Sequence, residues 1–215
     1  YAVFGHRRAL DAVIVTGLAL LGNMALTEND QLGLMVLFSI AALVREASSS
    51  VGGFYGRFQD KDGLLLALHE RLIQEIDARV TAFEIPGRFD GATLREIVRA
   101  CVRELVTVYR ERRWLFLAFT ARSIGNEELW KRGMSFRASV IDRFAALVLR
   151  RRDQIAHPDP ELAAELGAQM VFALMDQAVI LGELRVGGEP LPDERVAEEL
   201  ERSFLAYLGI TGEDT

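Results

Sequence analysis

The segment from Phe38 to Leu65, FSIAALVREASSSVGGFYGRFQDKDGLL, constrains the fold of this chain more than any other stretch. Ser39, Ser50 and Asp60 each precede a run with helical character. Short oxygen-bearing side chains at that place accept hydrogen bonds from the free amides of a first helical turn. The segment therefore predicts three helices joined by two tight turns, with a short middle helix over Val51 to Phe58.

The middle helix carries two adjacent glycines, Gly52 and Gly53. Each costs about 1 kcal/mol relative to alanine in a helix interior, so an ordinary packing helix has little reason to keep both. A helix pressed against a nucleic-acid backbone has such a reason, because a bare Cα allows close approach. The pattern indicates a helix-turn-helix that enters a DNA groove. The alternative is a flexible glycine-containing loop between packed helices.

The aromatic and basic residues of the middle helix divide between two faces. Phe54 and Phe58 lie four apart and are expected to anchor the helix in the core. Tyr55 and Arg57 then point away from the core, where a phenol and a guanidinium can reach DNA phosphates. Lys61 lies at the next helix start, where backbone amides and a cation together favour an anion.

This pattern resembles the DNA-binding motif of TetR-type (tetracycline-repressor-like) bacterial transcription regulators. The matching features are a Ser cap, a small-residue turn, a glycine-containing recognition helix, an aromatic pair, a Phe, and a Lys followed by Leu. They fall at Ser39, Ala47 to Ser50, Val51 to Gly53, Phe54, Tyr55, Phe58, Lys61 and Leu64. The chain departs from the family pattern at Ser48, Ser49 and Gly56, and its segment from Leu10 to Phe38 is longer than the family's.

The resemblance implies an all-α fold. An N-terminal three-helix helix-turn-helix DNA-binding domain would occupy residues 1–63, and a larger helical ligand-binding and dimerisation domain would occupy 64–215. It also implies a homodimeric repressor in the bacterial cytoplasm, which leaves a double-stranded DNA operator when a small hydrophobic effector binds. The residues expected to contact DNA are Ser39, Arg45, Ser50, Val51, Gly52, Gly53, Tyr55, Arg57 and Lys61.

Charge is the observation least favourable to DNA binding. The chain has a net charge of −6, and residues 1–63 hold five basic and six acidic side chains. Non-specific affinity for DNA comes from neutralised phosphates, so this balance predicts modest affinity with a shallow salt dependence. It keeps a second hypothesis open, a helical small-molecule-binding or interaction protein whose DNA binding is weak or lost.

The remaining sequence predicts a helical body. With 215 residues, 50% of them hydrophobic, and one cysteine, the chain can bury a sizeable core without disulfides. Apolar periodicity predicts helices over 61–83, 93–110, 114–123, 126–154, 161–184 and 192–208. The apolar run from Ala12 to Leu26 is shorter than the roughly 20 residues that span a bilayer. It is expected to be a buried first helix rather than a signal or anchor, so no membrane partner is expected.

Patterns typical of catalysis or metal binding are missing from the sequence. His6, His69 and His157 form no pair at helical spacing, and the chain has neither a Gly-x-Ser-x-Gly elbow nor a glycine-rich phosphate loop after a strand. His69, next to Glu70, is expected on a solvated helix face. The sequence therefore predicts no enzyme activity, no metal site and no cofactor.

The last two predicted helices carry more apolar surface than one neighbour would cover. The residues expected at a dimer interface are Leu166, Met170, Leu174, Leu181, Leu200, Phe204 and Leu208. In TetR-like proteins this helix pair forms a four-helix dimer interface. The alternative is that both helices pack on the body of their own chain.

An apolar cavity for the effector is expected among the aromatic and methionine side chains of the body. The candidates are Phe116, Trp130, Phe144, Phe172, Met175 and Asp176. Asp176 stands out because a carboxylate on an apolar helix face needs a partner, which can be an arginine, a cationic ligand or water. The alternative for each aromatic side chain is an ordinary place in the core.

Overall fold

In the computed structural model the described residues are 50–124, 126–180, 182 and 184–210. Along them lie α1 (Val51–Tyr55), α2 (Lys61–Glu84), α3 (Leu94–Glu111), α4 (Arg113–Ser123), α5 (Glu127–Leu149), a 3₁₀ turn (Arg152–Gln154), α6 (Pro160–Ile180) and α7 (Asp193–Tyr207). A two-residue antiparallel hairpin, β1 (Arg185–Val186) with β2 (Glu189–Pro190), falls between α6 and α7. The predicted all-α fold is confirmed. The two helices expected before Ser50, with Ser39 and Arg45, lie outside the described residues.

Side-chain caps define several helix starts. Ser50 and Asp60 each accept a hydrogen bond from the amide three residues on, at 3.0 and 2.9 Å. Thr93 and Asn126 cap α3 and α5 in the same way. The caps at Ser50 and Asp60 confirm the sequence-based prediction. The helix predicted over 126–154 ends earlier, at Leu149, and the hairpin between α6 and α7 was not predicted.

The main hydrophobic core lies between α3, α5, α6 and α7. Phe204 of α7 packs edge-on against Phe144 of α5, with ring centroids 5.6 Å apart. Leu200, Phe204 and Leu208 are at most 5% exposed. The expectation that these three side chains lie at a dimer interface is therefore corrected, because α7 turns its apolar face toward its own chain.

Gly167 allows α6 and α7 to approach closely. A Cβ at this position would overlap the ring of Phe204. We expect Gly167→Ala to destabilise the protein by about 1–3 kcal/mol, since extra volume in a packed core forces side chains from their rotamers. Denaturant midpoints measure the change. Gly133→Ala is the matched control, because the nearest atom to its added Cβ is 3.8 Å away. It should stabilise α5 by up to about 1 kcal/mol, and equal effects of the two variants would contradict the packing explanation.

A second apolar cluster joins the segment 50–60, here called the reader, to the body. We call it the reader cluster. Its buried members are Phe54, Phe58, Leu64, Leu65, Leu68, Leu72, Leu115, Ala118, Phe119 and Leu129. The predicted inward anchors Phe54 and Phe58 are confirmed, at 3% and 5% exposure. The cluster therefore joins apolar residues of the reader, α2, α4 and the start of α5 in one core.

Candidate functional site

A cavity of about 150 Å³ lies inside the body, walled by α2, α3, α4, α5 and α6. Most of its lining is apolar, and its largest side chains are Phe116, Phe119, Trp130, Phe136 and Phe172. Trp130 and Met134 are 50% and 40% exposed although both line the cavity. The opening to solvent therefore lies beside these two residues of α5.

One carboxylate in the cavity wall is fully partnered. Asp176 of α6 accepts a hydrogen bond from the Tyr109 hydroxyl at 2.6 Å and another from Arg137 Nε at 2.9 Å. Burial, followed by the neighbouring Asp176 charge, raises the pKa of Tyr109 well above its usual value, so the phenol stays protonated. Phe116 stacks on the Tyr109 ring with centroids 4.6 Å apart. The arginine expected as one possible partner of Asp176 is therefore present, as Arg137.

His69 of α2 also faces the cavity. It is 7% exposed and packs edge-on against Phe119, with ring centroids 4.8 Å apart. Burial lowers the pKa of His69, so the imidazole is neutral at pH 7. Neither ring nitrogen has a hydrogen-bond partner among the described residues. The prediction of a solvated face was wrong, because His69 shares the inner face of α2 with Leu65, Leu72 and Ile76.

A smaller cavity of about 60 Å³ adjoins the first. The two share Ile76, Leu105, Val108, Val140 and Phe172 in their walls. Phe144 lines the smaller cavity, along with the half-buried Cys101. Burial raises the pKa of the Cys101 thiol to about 12, which leaves it protonated and unreactive.

The second half of α2 is tied to the body by ion pairs. Arg143 of α5 contacts Asp77 at 2.6 Å and both carboxylate oxygens of Glu84, and the hydrogen bonds to Glu84 raise the pKa of Arg143 further. Arg112 binds Glu75 at 2.7 Å. The first half of α2 carries instead the apolar side chains that hold the reader. The cavity lies beside α2 where the two halves meet.

The reader presents a distinct outer surface. Val51 and Tyr55 are 49% and 54% exposed, and Arg57 is exposed as well. No atom lies within 4 Å of the position that a Cβ on Gly52 would take. The Ser50 hydroxyl accepts from the Gly53 amide and also borders this surface. Five of the residues predicted to contact DNA are thus brought together on one short exposed element.

Comparison with known proteins identifies the family. A family model described as the tetracyclin repressor-like C-terminal domain matches residues 93–208. The chain belongs to the TetR family. It is therefore a transcription regulator of this family with a TetR-type helical fold. No curated protein matches the chain significantly.

Solved structures of TetR-family transcriptional regulators share this fold at low sequence identity. One from Mesorhizobium loti is 18% identical, with 96% of this chain and 98% of that one covered and a TM-score of 0.62. One from Rhodococcus sp. is 17% identical, with 94% of this chain and 98% of that one covered and a TM-score of 0.57. One from Pectobacterium atrosepticum is 20% identical, with 97% of this chain and 99% of that one covered and a TM-score of 0.54.

The ligand-binding residues predicted from the sequence of this TetR-family chain are divided among the main cavity, the smaller cavity and the hydrophobic core. Phe116, Trp130, Phe172 and Asp176 line the main cavity, and Phe144 lines the smaller one. Met175 is 1% exposed and lines neither, so its expected ligand role is corrected to core packing. Sequence reasoning missed His69, Tyr109 and Arg137. The spacing of His69 from Leu65, Leu72 and Ile76 was the available signal, because those positions share one helix face.

The sequence-predicted dimer residues also separate. The predicted residues Leu166, Met170 and Leu174 follow one another at four-residue steps along α6, and Leu162, which was not predicted, continues the row; each of the four is between 36% and 50% exposed. We call this row the α6 stripe. Leu181 lies outside the described residues.

Two further features concern only the described ranges. Within them no helix is long and apolar enough to cross a membrane. No group of three or more potential metal ligands occurs in that part of the chain.

Proposed function

We propose that this TetR-family regulator is a repressor that an apolar effector releases from operator DNA. The observation that carries the proposal is the position of the main cavity. Leu72, Phe119 and Leu129 line it and also belong to the reader cluster. A molecule in the cavity therefore touches the same side chains that hold the reader in place.

The ion pairs of α2 supply a mechanism for release. Its second half is held to α3, to the junction between α3 and α4, and to α5 through Arg79, Arg112 and Arg143 respectively. Its first half is held mainly by apolar contacts, which tolerate sliding better than oriented hydrogen bonds do. A ligand beside Ile73 and Ile76 would shift the first half, with the reader attached, relative to the anchored half. The ligand can do so only as far as its affinity differs between the two arrangements.

We further propose that the protein acts as a homodimer joined through the α6 stripe, in the bacterial cytoplasm where the operator lies. An exposed apolar row of this length on one helix is typical of a protein–protein contact. Two readers would then engage two half-sites of a double-stranded operator. Ser50, Val51 and Gly53 are proposed to meet base edges, and Tyr55, Arg57 and Lys61 to meet phosphates.

The test of the proposed function has two steps. Selection of bound fragments from random or genomic DNA should yield one enriched sequence with paired half-sites. A screen of small apolar molecules should then find ligands that raise the melting temperature and weaken operator binding. By linkage, operator DNA must weaken ligand binding by the same factor. Selection that enriches no sequence would favour the second hypothesis, a helical small-molecule-binding or interaction protein with lost DNA binding.

Filling the cavity gives a sharper prediction. Gly133 on α5 lines the cavity, so the side chain of Gly133→Leu would occupy it. The variant should fold well, since leucine is a better helix former than glycine. Its operator affinity should respond to added ligand at least tenfold less than that of the parent chain, as measured by fluorescence anisotropy of a labelled operator, because the leucine side chain takes the place of the ligand. Gly133→Ala, which adds one methyl group, should respond almost like the parent chain. Full release of Gly133→Leu by the same ligands would place the effector elsewhere.

A further inference from the structure

We infer that the ligand of the main cavity is an uncharged, single-ring molecule of the phenol class, whose hydroxyl group hydrogen-bonds to His69. This inference rests on the proposed function, since it names the chemistry of the effector for the same cavity.

The size of the enclosed part of the cavity matches one aromatic ring. Its volume is about 150 Å³. An engineered protein cavity of about this volume takes up benzene. The aromatic side chains Phe116, Phe119 and Phe172 offer flat surfaces to such a ring. A second fused ring would have to extend toward the opening beside Trp130 and Met134, where it would be partly solvated and gain less from burial.

The charges in the wall favour a neutral ligand. Asp176 and Arg137 neutralise each other at 2.9 Å, and the Tyr109 hydroxyl occupies the other Asp176 oxygen. Tyr109 and His69 are themselves neutral at pH 7, because burial raises the pKa of the first and lowers that of the second. A charged ligand would therefore lose its hydration without gaining an unpaired counter-charge. A carboxylate ligand would also have to compete with Asp176 for Arg137.

His69 identifies the polar group of the ligand. Its side chain is more than nine-tenths buried and has no hydrogen-bond partner among the described residues. Its Nε2 lies over Gly133, where the absence of a side chain keeps the nitrogen accessible from the cavity. A hydrogen bond from a ligand to this nitrogen would contribute about 0.5–1.5 kcal/mol net. A hydroxyl group can donate to or accept from the imidazole, so it satisfies either tautomer.

The experiment measures binding of phenol, toluene, benzoate and 2-naphthol to the full chain by calorimetry. Phenol and toluene have the same shape and differ in the hydroxyl group. We expect phenol to bind at least tenfold more tightly than toluene, and benzoate and naphthol to bind more weakly than phenol. Toluene binding equal to phenol would overturn the role of His69. Tighter binding of benzoate would reassign the polar contact to Arg137, and tighter binding of naphthol would overturn the match in size to one ring.

Two variants test His69 directly. His69→Leu should remove the preference for phenol over toluene while leaving toluene affinity within about twofold. His69→Gln keeps a donor and an acceptor and should restore at least part of the preference. Preference for phenol that persists in His69→Leu would overturn the inference, and the four-ligand comparison on the unmodified chain decides it if that variant does not fold.

Failure of this inference about the ligand class can be distinguished from failure of the proposed function. Phenol that binds as expected but leaves operator affinity unchanged would refute effector-driven release and keep the assignment of the cavity. Release of the operator by larger or charged molecules, with no binding of phenol, would refute the ligand class alone.

Discussion

Leu166→Glu should convert the protein to monomers and weaken operator binding by about a hundredfold or more, since avidity from two linked sites contributes factors of this size. Leu166 lies in the middle of the α6 stripe and is 39% exposed in the single chain. A glutamate there would be solvated in the monomer but buried and unpaired in a dimer joined through α6. Sedimentation velocity measures the assembly, and fluorescence anisotropy measures the operator affinity.

The control for this prediction is Ile124→Glu. Ile124 is an exposed apolar residue, at 81%, and it lies between α4 and α5 rather than on α6. This variant should remain a dimer and bind DNA normally. Met170→Glu, one turn further along the stripe, should reproduce the effect of Leu166→Glu. An intact dimer in both stripe variants would move the interface to another surface.

Gly52→Leu should reduce operator affinity to the non-specific level, a loss of about 10³-fold or more. Gly52 is exposed on the reader, and an added Cβ meets no atom within 4 Å, so the free protein should fold normally. In the complex the leucine side chain would hold the reader away from the DNA surface, which removes the close contacts at Tyr55 and Arg57 together. The melting temperature of the variant should equal or exceed that of the parent chain.

Gly52→Ala provides the graded comparison. It adds one methyl group at the same place and should lose less affinity than the leucine variant. Normal operator binding by Gly52→Leu would show that this face of α1 does not approach DNA. The two variants together distinguish a steric effect from a change in helix stability, because both residues are better helix formers than glycine.

Local features of the fold were predictable from sequence because they depend on neighbouring residues. Ser50 and Asp60 cap helices for reasons contained in a single turn of chain. The four-residue spacing of Phe54 and Phe58 was enough to predict their inward orientation. The same periodicity found the α6 stripe, since the residues of one helix face recur every three to four positions.

The wrong predictions for α7 and His69 concern which surface covers the apolar face of a helix. Periodicity shows that Leu200, Phe204 and Leu208 share one side of α7, but it does not show whether their neighbour is the same chain or a second copy. In the structure Gly167 allows Phe204 to pack within its own chain. His69 was misplaced because its neighbour Glu70 received more weight than the apolar residues one turn away. The pairing of Asp176 with Tyr109 and Arg137 joins three helices and has no local signal.

The reader cluster has a consequence for how regulators of this fold can be recombined. Phe54 and Phe58 pack in the same cluster as Leu115, Phe119 and Leu129, which belong to α4 and the start of α5. A chimera cut after residue 63 would carry the two phenylalanines to a body that evolved against other side chains. Grafts that transfer the α4–α5 junction with the reader would preserve both the contact and one wall of the cavity. The exchangeable unit is then discontinuous in sequence, and a transplanted reader would bring part of its effector response with it.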